Sequence, residues 1–213
     1  MKALVFCDDL YHPAATVRAG LAPLAAAGWD FDWVEDATGW PTAALGSYSL
    51  ALLAKSNVRS HADPTPWLTG AAESIFCDFV RRGGGLVVIH SGVAGYADVV
   101  PVRAVTGGIF LSHPPPCAVT VEPQPGHPLT AGVLESFSIH DEHYQIVLDD
   151  AQADVFLHTR SVHGVQPAGW TRTEGTGRVC VLTPGHFPEV WLHPMFQQLL
   201  TNALRWAARP IVG

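Results

Sequence analysis

Short apolar runs and helical stripes alternate along the first ninety residues. Residues 2–7 (Lys-Ala-Leu-Val-Phe-Cys) are an apolar run that predicts a buried strand, ended by Asp8 and Asp9. Over 14–27, Val17, Leu21, Leu24 and Ala25 recur at helical spacing, and Gly28 supplies a stop. Residues 29–35 alternate apolar and polar, which predicts a strand with one exposed face. Residues 48–54 predict a third strand. Asp63-Pro64-Thr65-Pro66 then leads into a helix over 67–82, with Leu68, Ala71, Ala72, Ile75, Phe76, Phe79 and Val80 along one face. Arg81 and Arg82 lie in its last turn, where cations suit the helix dipole. Gly83-Gly84-Gly85 turns the chain into Leu86-Val87-Val88-Ile89, a wholly apolar strand. These glycines precede a strand. A phosphate cradle follows a strand and opens a helix, so they are read as a turn.

This strand–helix–strand–strand–helix–strand order predicts an α/β fold with a mostly parallel sheet flanked by helices. The second half is richer in strands, with 117–122, 154–158, 165–172 and 178–183 as candidates for additional antiparallel strands. A last helix is expected over 194–208, with Met195, Phe196, Leu199, Leu200, Ala203, Leu204 and Trp206 along one side. No repeat, low-complexity tract or linker interrupts the chain, so 1–213 reads as one domain.

Composition adds an imbalance. Only 15% of residues are charged, against roughly 25% in an average soluble domain, while histidine occurs 11 times in 213 residues. The net charge of −7 and the lack of any basic run argue against a nucleic-acid partner. No apolar stretch reaches the roughly 18 residues of a membrane span. The N-terminal apolar run is too short for a signal peptide. Cys7, Cys77, Cys117 and Cys180 make no CxxC pair, which excludes zinc-ribbon and thioredoxin-like readings. Three of them sit in apolar runs as small core residues, and a reducing, cytoplasmic compartment is expected.

Ligands of open α/β sheets bind beyond the carboxyl ends of the strands. That rule selects Asp8, Asp9 and His12 after the first strand, and His90 and Ser91 after the fourth. It also selects His186 after the strand at 178–183. A polar residue at an abrupt strand end suits a nucleophile or a ligand, although a core histidine is the plain alternative for His90. Ser91 as nucleophile is disfavoured because the GxSxG pattern is absent. His140-Asp141-Glu142-His143-Tyr144 crowds five polar side chains together, which suits acid–base work or metal ligation. In an extended segment Asp141 and His143 oppose Glu142 and Tyr144. No HExxH helix is present. His113 and His127 sit in Pro-rich loops. Trp170 and Trp191, near the same rim, are weighed as a sugar-stacking face. His61, His158, His163 and His193 are expected in surface or packing roles.

Several segments, in order, resemble the ThuA-like family, named for trehalose utilisation. They run from Gly83-Gly84-Gly85-Leu86-Val87-Val88-Ile89-His90 through Gly107-Gly108-Ile109-Phe110, Ser112-His113-Pro114 and His127-Pro128-Leu129-Thr130-Ala131-Gly132. Asp141-Glu142-His143-Tyr144 and Gly175-Thr176-Gly177-Arg178-Val179 follow, then Gly185-His186 and Asn202-Ala203-Leu204-Arg205-Trp206-Ala207. The resemblance spans about residues 1–208 and implies the flavodoxin-like fold of class I glutamine amidotransferases. Those enzymes carry a catalytic Cys at the elbow where this chain has His90. His186 falls near their triad His, and Glu189 lies three residues on. Without the thiol, glutaminase chemistry is disfavoured. The resemblance implies sugar catabolism on a disaccharide or keto-sugar, beside a sugar dehydrogenase.

An enzyme of this kind would use His90, Glu142, His186, Asp141, His113 and Tyr144 in catalysis, with Glu142 as general acid or base. His12, Ser91, His143 and Gly108 would contact substrate. The cofactor is unknown. One variant places a divalent metal on His90, Glu142 and His186, but their wide spacing is no metal signature and no metal ligand is assigned. The alternative is a non-catalytic sugar-binding or regulatory module. Convergence of His90, Glu142 and His186 favours catalysis, and a Glu142 facing bulk solvent favours binding. The aromatic C-terminal segment is a candidate homodimer interface.

Overall fold

The computed structural model describes residues 1–133, 135–149, 151 and 153–208. The first half runs β1 (Lys2–Phe6), α1 (Ala14–Ala26), β2 (Asp30–Val34), β3 (Leu50–Leu53), α2 (Ala71–Arg81) and β4 (Gly85–Ile89). Then come α3 (Val100–Thr106), β5 (Gly108–Ser112), β6 (Cys117–Pro123), β7 (Phe137–Asp141) and β8 (Gln145–Leu148). β9 (Asp154–Ser161), β10 (Gly164–Glu174), β11 (Gly177–Leu182), α4 (Pro188–Leu192) and α5 (Pro194–Ala207) complete the fold.

Nine strands make one sheet in the order β2-β1-β3-β4-β11-β10-β9-β6-β7. It is parallel from β2 to β11 and antiparallel from β11 to β7. The parallel half has the flavodoxin-like order. β5 and β8 pair separately and antiparallel. The central strands β3 and β4 are buried along their whole length, and β11 at every position but Arg178, as parallel strands covered on both faces must be. Alternate side chains serve two cores. Val5, Leu52, Val87, Ile89, Cys180 and Leu182 meet residues of α1, α4 and α5. Phe6, Leu53, Leu86, Val88 and Val181 meet α2 and α3. Each such buried aliphatic contributes about 1.5–3 kcal/mol of transfer free energy.

α2 begins four residues later than the apolar stripe predicts. The Asn57 side-chain oxygen accepts the N–H groups of Trp67 and Leu68 at 3.2 and 3.0 Å, and Gly70 has φ +55°. Those bonds hold a non-helical turn in which Trp67 and Leu68 are buried. Of the expected face, Ile75 is exposed while Phe76 and Val80 enter the core. The aromatic C-terminal helix faces inward as well, with Phe196 buried and Trp206 packed against the core. Among the described residues no helix is long and apolar enough to cross a membrane.

Candidate functional site

β1, β4, β7 and β11 all point the same way, so their carboxyl ends share one rim. At the end of β4 the chain turns sharply. His90 has φ +50°, a left-handed conformation that side chains with a Cβ rarely adopt. Gly92 makes the turn possible, because a Cβ there would meet the Leu53 carbonyl oxygen at 2.2 Å. The His90 ring is 2% exposed. Its Nδ1 lies 2.8 Å from the Thr183 carbonyl, which can only accept, so Nδ1 carries the proton and Nε2 carries the lone pair. Tyr144 stacks on the ring at 4.1 Å. Burial pushes the His90 imidazole down to about 4, so it is neutral at neutral pH.

After β1, Asp9 is fully buried and anchors its neighbour. It accepts from the His12 ring Nδ1 at 2.7 Å, from the N–H of Tyr11 and His12 at 3.0 Å each, and from Ser56 N–H at 2.9 Å. Burial pushes its carboxyl up, but the bonds from His12, Ser56 and Tyr11 outweigh that and hold it well below the usual range. With Nδ1 turned to Asp9, the His12 Nε2 faces the other rim groups. The His12 ring meets those of His90 and His186 edge-on at 4.8 and 5.0 Å.

His186 is set by Asp141. That buried carboxyl accepts the N–H of Gly185 at 2.8 Å and of His186 at 3.0 Å. Gly185 takes φ +145° to present its amide. Burial pushes the Asp141 carboxyl up to about 7 against the pull of those amides. The next residue, Glu142, completes the centre. Its Oε2 lies 3.3 Å from both His90 Nε2 and His186 Nδ1, and its Oε1 lies 3.4 Å from His113 Nε2. Burial pushes Glu142 up, but the facing imidazoles of His186 and His90 outweigh it and hold the carboxyl well below its usual range. His186 is pushed up, chiefly by its contact with Glu142. His12, His90, Glu142 and His186 each present one donor atom, and those atoms all lie within 4.8 Å of one another. Three neutral or protonatable imidazoles around one anion can polarise an oxygen, exchange a proton or hold a cation.

The family model for trehalose utilisation, ThuA, matches residues 2–207. The chain belongs to the ThuA family. No curated protein matches the sequence. A ThuA-like protein from Bacteroides uniformis superposes with TM-score 0.74 at 24% identity, covering 97% of this chain and 91% of that one. One from Parabacteroides merdae gives TM-score 0.76 at 16% identity, covering 97% and 89%. A cytoplasmic protein from Salmonella typhimurium gives 0.72 at 17% identity, covering 98% and 99%. At these identities the likeness shows the fold.

Within this ThuA fold, the rim gathers His12, His90, His113, Asp141, Glu142, Tyr144 and His186. Ser91 is buried in the turn after His90. His143 does not join the centre. Its Nδ1 meets Ser161 Oγ at 2.7 Å, on the opposite side of the segment from Glu142 and Tyr144. Gly108 packs away from it too, where a Cβ would meet the Val147 carbonyl oxygen at 2.9 Å and the Trp170 ring at 3.1 Å. Trp170 and Trp191 offer no stacking face, for both are fully buried and donate to the carbonyls of Thr106 and Gly185. His127 caps a short turn, accepting from Leu129 N–H, and faces Asp154 at 3.1 Å. His140 stacks on Phe187 and lines a separate surface pocket with Glu189 and His193. Glu189 is exposed there, so the carboxylate facing His186 is Glu142. Cys7, Cys77 and Cys180 are buried, and burial pushes the first two thiols up to about 12 and about 11. The role of Asp9 in orienting His12 has a faint signal in the sequence, an acid three residues before a histidine at a strand end.

Proposed function

We propose that this ThuA protein is an enzyme of carbohydrate catabolism, acting on a neutral disaccharide or its keto derivative at the rim centre. The observation that supports this is the position of Glu142. It is 10% exposed and faces three imidazoles, rather than pointing to bulk solvent as a mere binding face would allow. A carboxyl held that far below its ordinary range stays ionised at neutral pH and does not serve as a general acid. Glu142 instead orients His90 and His186 and stabilises positive charge. His186, 20% exposed, is open enough to polarise a substrate oxygen. His113, 34% exposed, sits where a sugar oxygen would reach Glu142. Tyr144 fixes the plane of His90. A rim of imidazoles with one anion suits a polyol better than a charged ligand. A dehydrogenase that oxidises a sugar hydroxyl would supply the keto substrate.

The test is turnover. Purified protein is incubated with disaccharides and keto-disaccharides, and the products are followed by NMR. We expect conversion by the wild type and a loss of about 10²-fold or more in Glu142→Gln, with the circular dichroism spectrum unchanged. Full turnover by Glu142→Gln would contradict the proposal.

A further inference from the structure

The rim centre has unused bonding capacity. His12 Nε2, His90 Nε2 and His186 Nδ1 are buried, and none has a hydrogen-bond partner among the described residues. Buried imidazole nitrogens without partners are costly, and three that converge on one point are not an accident of packing. Glu142 stands 3.3 Å from two of them, but the contacts miss hydrogen-bond alignment. An imidazolium donating to Glu142 would aim its N–H along that line. Nitrogens that share a third target would not.

We infer that His12, His90, Glu142 and His186 are the ligands of a divalent transition-metal ion of the zinc type. Four donors about 2.0–2.1 Å from a tetrahedral zinc lie about 3.3 Å from one another. The separations of Glu142 from His90 and from His186 match that edge at 3.3 Å, and the whole set falls within 4.8 Å. The outer contacts fit as well. His12 donates its Nδ1 proton to the Asp9 carboxylate at 2.7 Å, and His90 donates to the Thr183 carbonyl at 2.8 Å. Metal-bound histidines are held in this way, with the far nitrogen protonated and the near lone pair aimed at the ion. Three imidazoles and one carboxylate, with no thiolate, suit zinc or a neighbouring first-row ion rather than magnesium or calcium. The ligands come from the ends of β1, β4, β7 and β11, so the folded sheet assembles the site. A bound ion would polarise a substrate carbonyl or hydroxyl arriving past His113. The inference rests on the function proposed above only in taking the same centre as the reacting one.

The full-length protein is stripped with a chelator and titrated calorimetrically with zinc chloride, and in parallel with cobalt chloride followed by visible absorption. We expect one ion per chain, a rise in melting temperature, and the intense visible bands of a four-coordinate cobalt site. His12→Ala, Glu142→Gln and His186→Ala should each weaken zinc binding by about 100-fold or more, and Asp9→Asn by about 10–100-fold. His158→Ala should leave it unchanged. His186→Ala lies on the more exposed side, so it remains decisive if His12→Ala fails to fold. Absence of stoichiometric zinc, or affinity unchanged by Glu142→Gln and His186→Ala, overturns the inference. Glu142-dependent turnover by the metal-free chain overturns the metal and leaves the sugar enzyme standing. Tight zinc binding without sugar turnover does the reverse.

Discussion

His90 is the residue on which the site turns, and its backbone bears a cost. A side chain with a Cβ at φ +50° is disfavoured by about 1–2 kcal/mol, and here the Thr183 bond and the Tyr144 stack hold it in place. Removing the imidazole in two ways isolates that cost. Both His90→Ala and His90→Gly lose the ring, but only alanine keeps the strained Cβ. His90→Gly should therefore be the more stable by about 1 kcal/mol in urea unfolding. Asp141 acts at the same scale through two amides. Asp141→Asn presents an oxygen to one N–H of Gly185 or His186 and an NH₂ to the other. It should cost about 1–3 kcal/mol in thermal melts and lower turnover by misplacing His186. The thiols give a simpler test. With their pKa values pushed to about 12 and about 11, Cys7 and Cys77 should resist a disulfide reagent at pH 8 in the folded chain. Half-exposed Cys117 should react, and all four should react in denaturant. His90, Glu142 and His186 were legible in the sequence because each breaks an apolar context or crowds with other titratable groups. Asp9 was legible as a strand-end position but its role only faintly, because little in the local sequence distinguishes an orienting carboxylate from a solvated one.

At the scale of elements, periodicity located what is long and regular. β1, β2, β3, β4 and α1 lie within about two residues of the pattern. β7, β8, α3 and α4 are short, and their polar positions mask any period. β7 shows why. Phe137, Ile139 and Asp141 face inward, and the inward Asp141 interrupts the apolar face by which a strand is recognised. Alternation beyond β7 did place Glu142 and Tyr144 together and His143 opposite, as the Ser161 contact shows. The late start of α2 rests on a side chain distant in sequence. Asn57→Ala leaves the N–H groups of Trp67 and Leu68 without their acceptor, and should cost about 1–3 kcal/mol in denaturant melts.

At the scale of the whole molecule, the flavodoxin-like strand order explains why residues scattered over most of the chain meet. Four strands end at one rim, and His12, His90, Glu142 and His186 lie in the segments that follow those ends. The topological rule for open α/β sheets reaches Asp9, His12, His90 and His186 from strand ends, while Glu142 is reached through its crowded segment. It could not say which histidines converge, since that depends on the antiparallel half that carries Glu142 to the loop after β11. The 11 histidines divide accordingly. His12, His90, His113 and His186 build the centre. His127 caps a turn, His193 caps the start of α5, and His61 bonds the Asp9 carbonyl at 3.2 Å. The low charge of the chain agrees with a neutral ligand. A crystal soaked with a keto-disaccharide tests this most directly. The sugar should lie against Glu142, His113 and His186 at the shared rim. A sugar bound instead in the pocket of His140, Phe187, Glu189 and His193, with the rim empty, would contradict it.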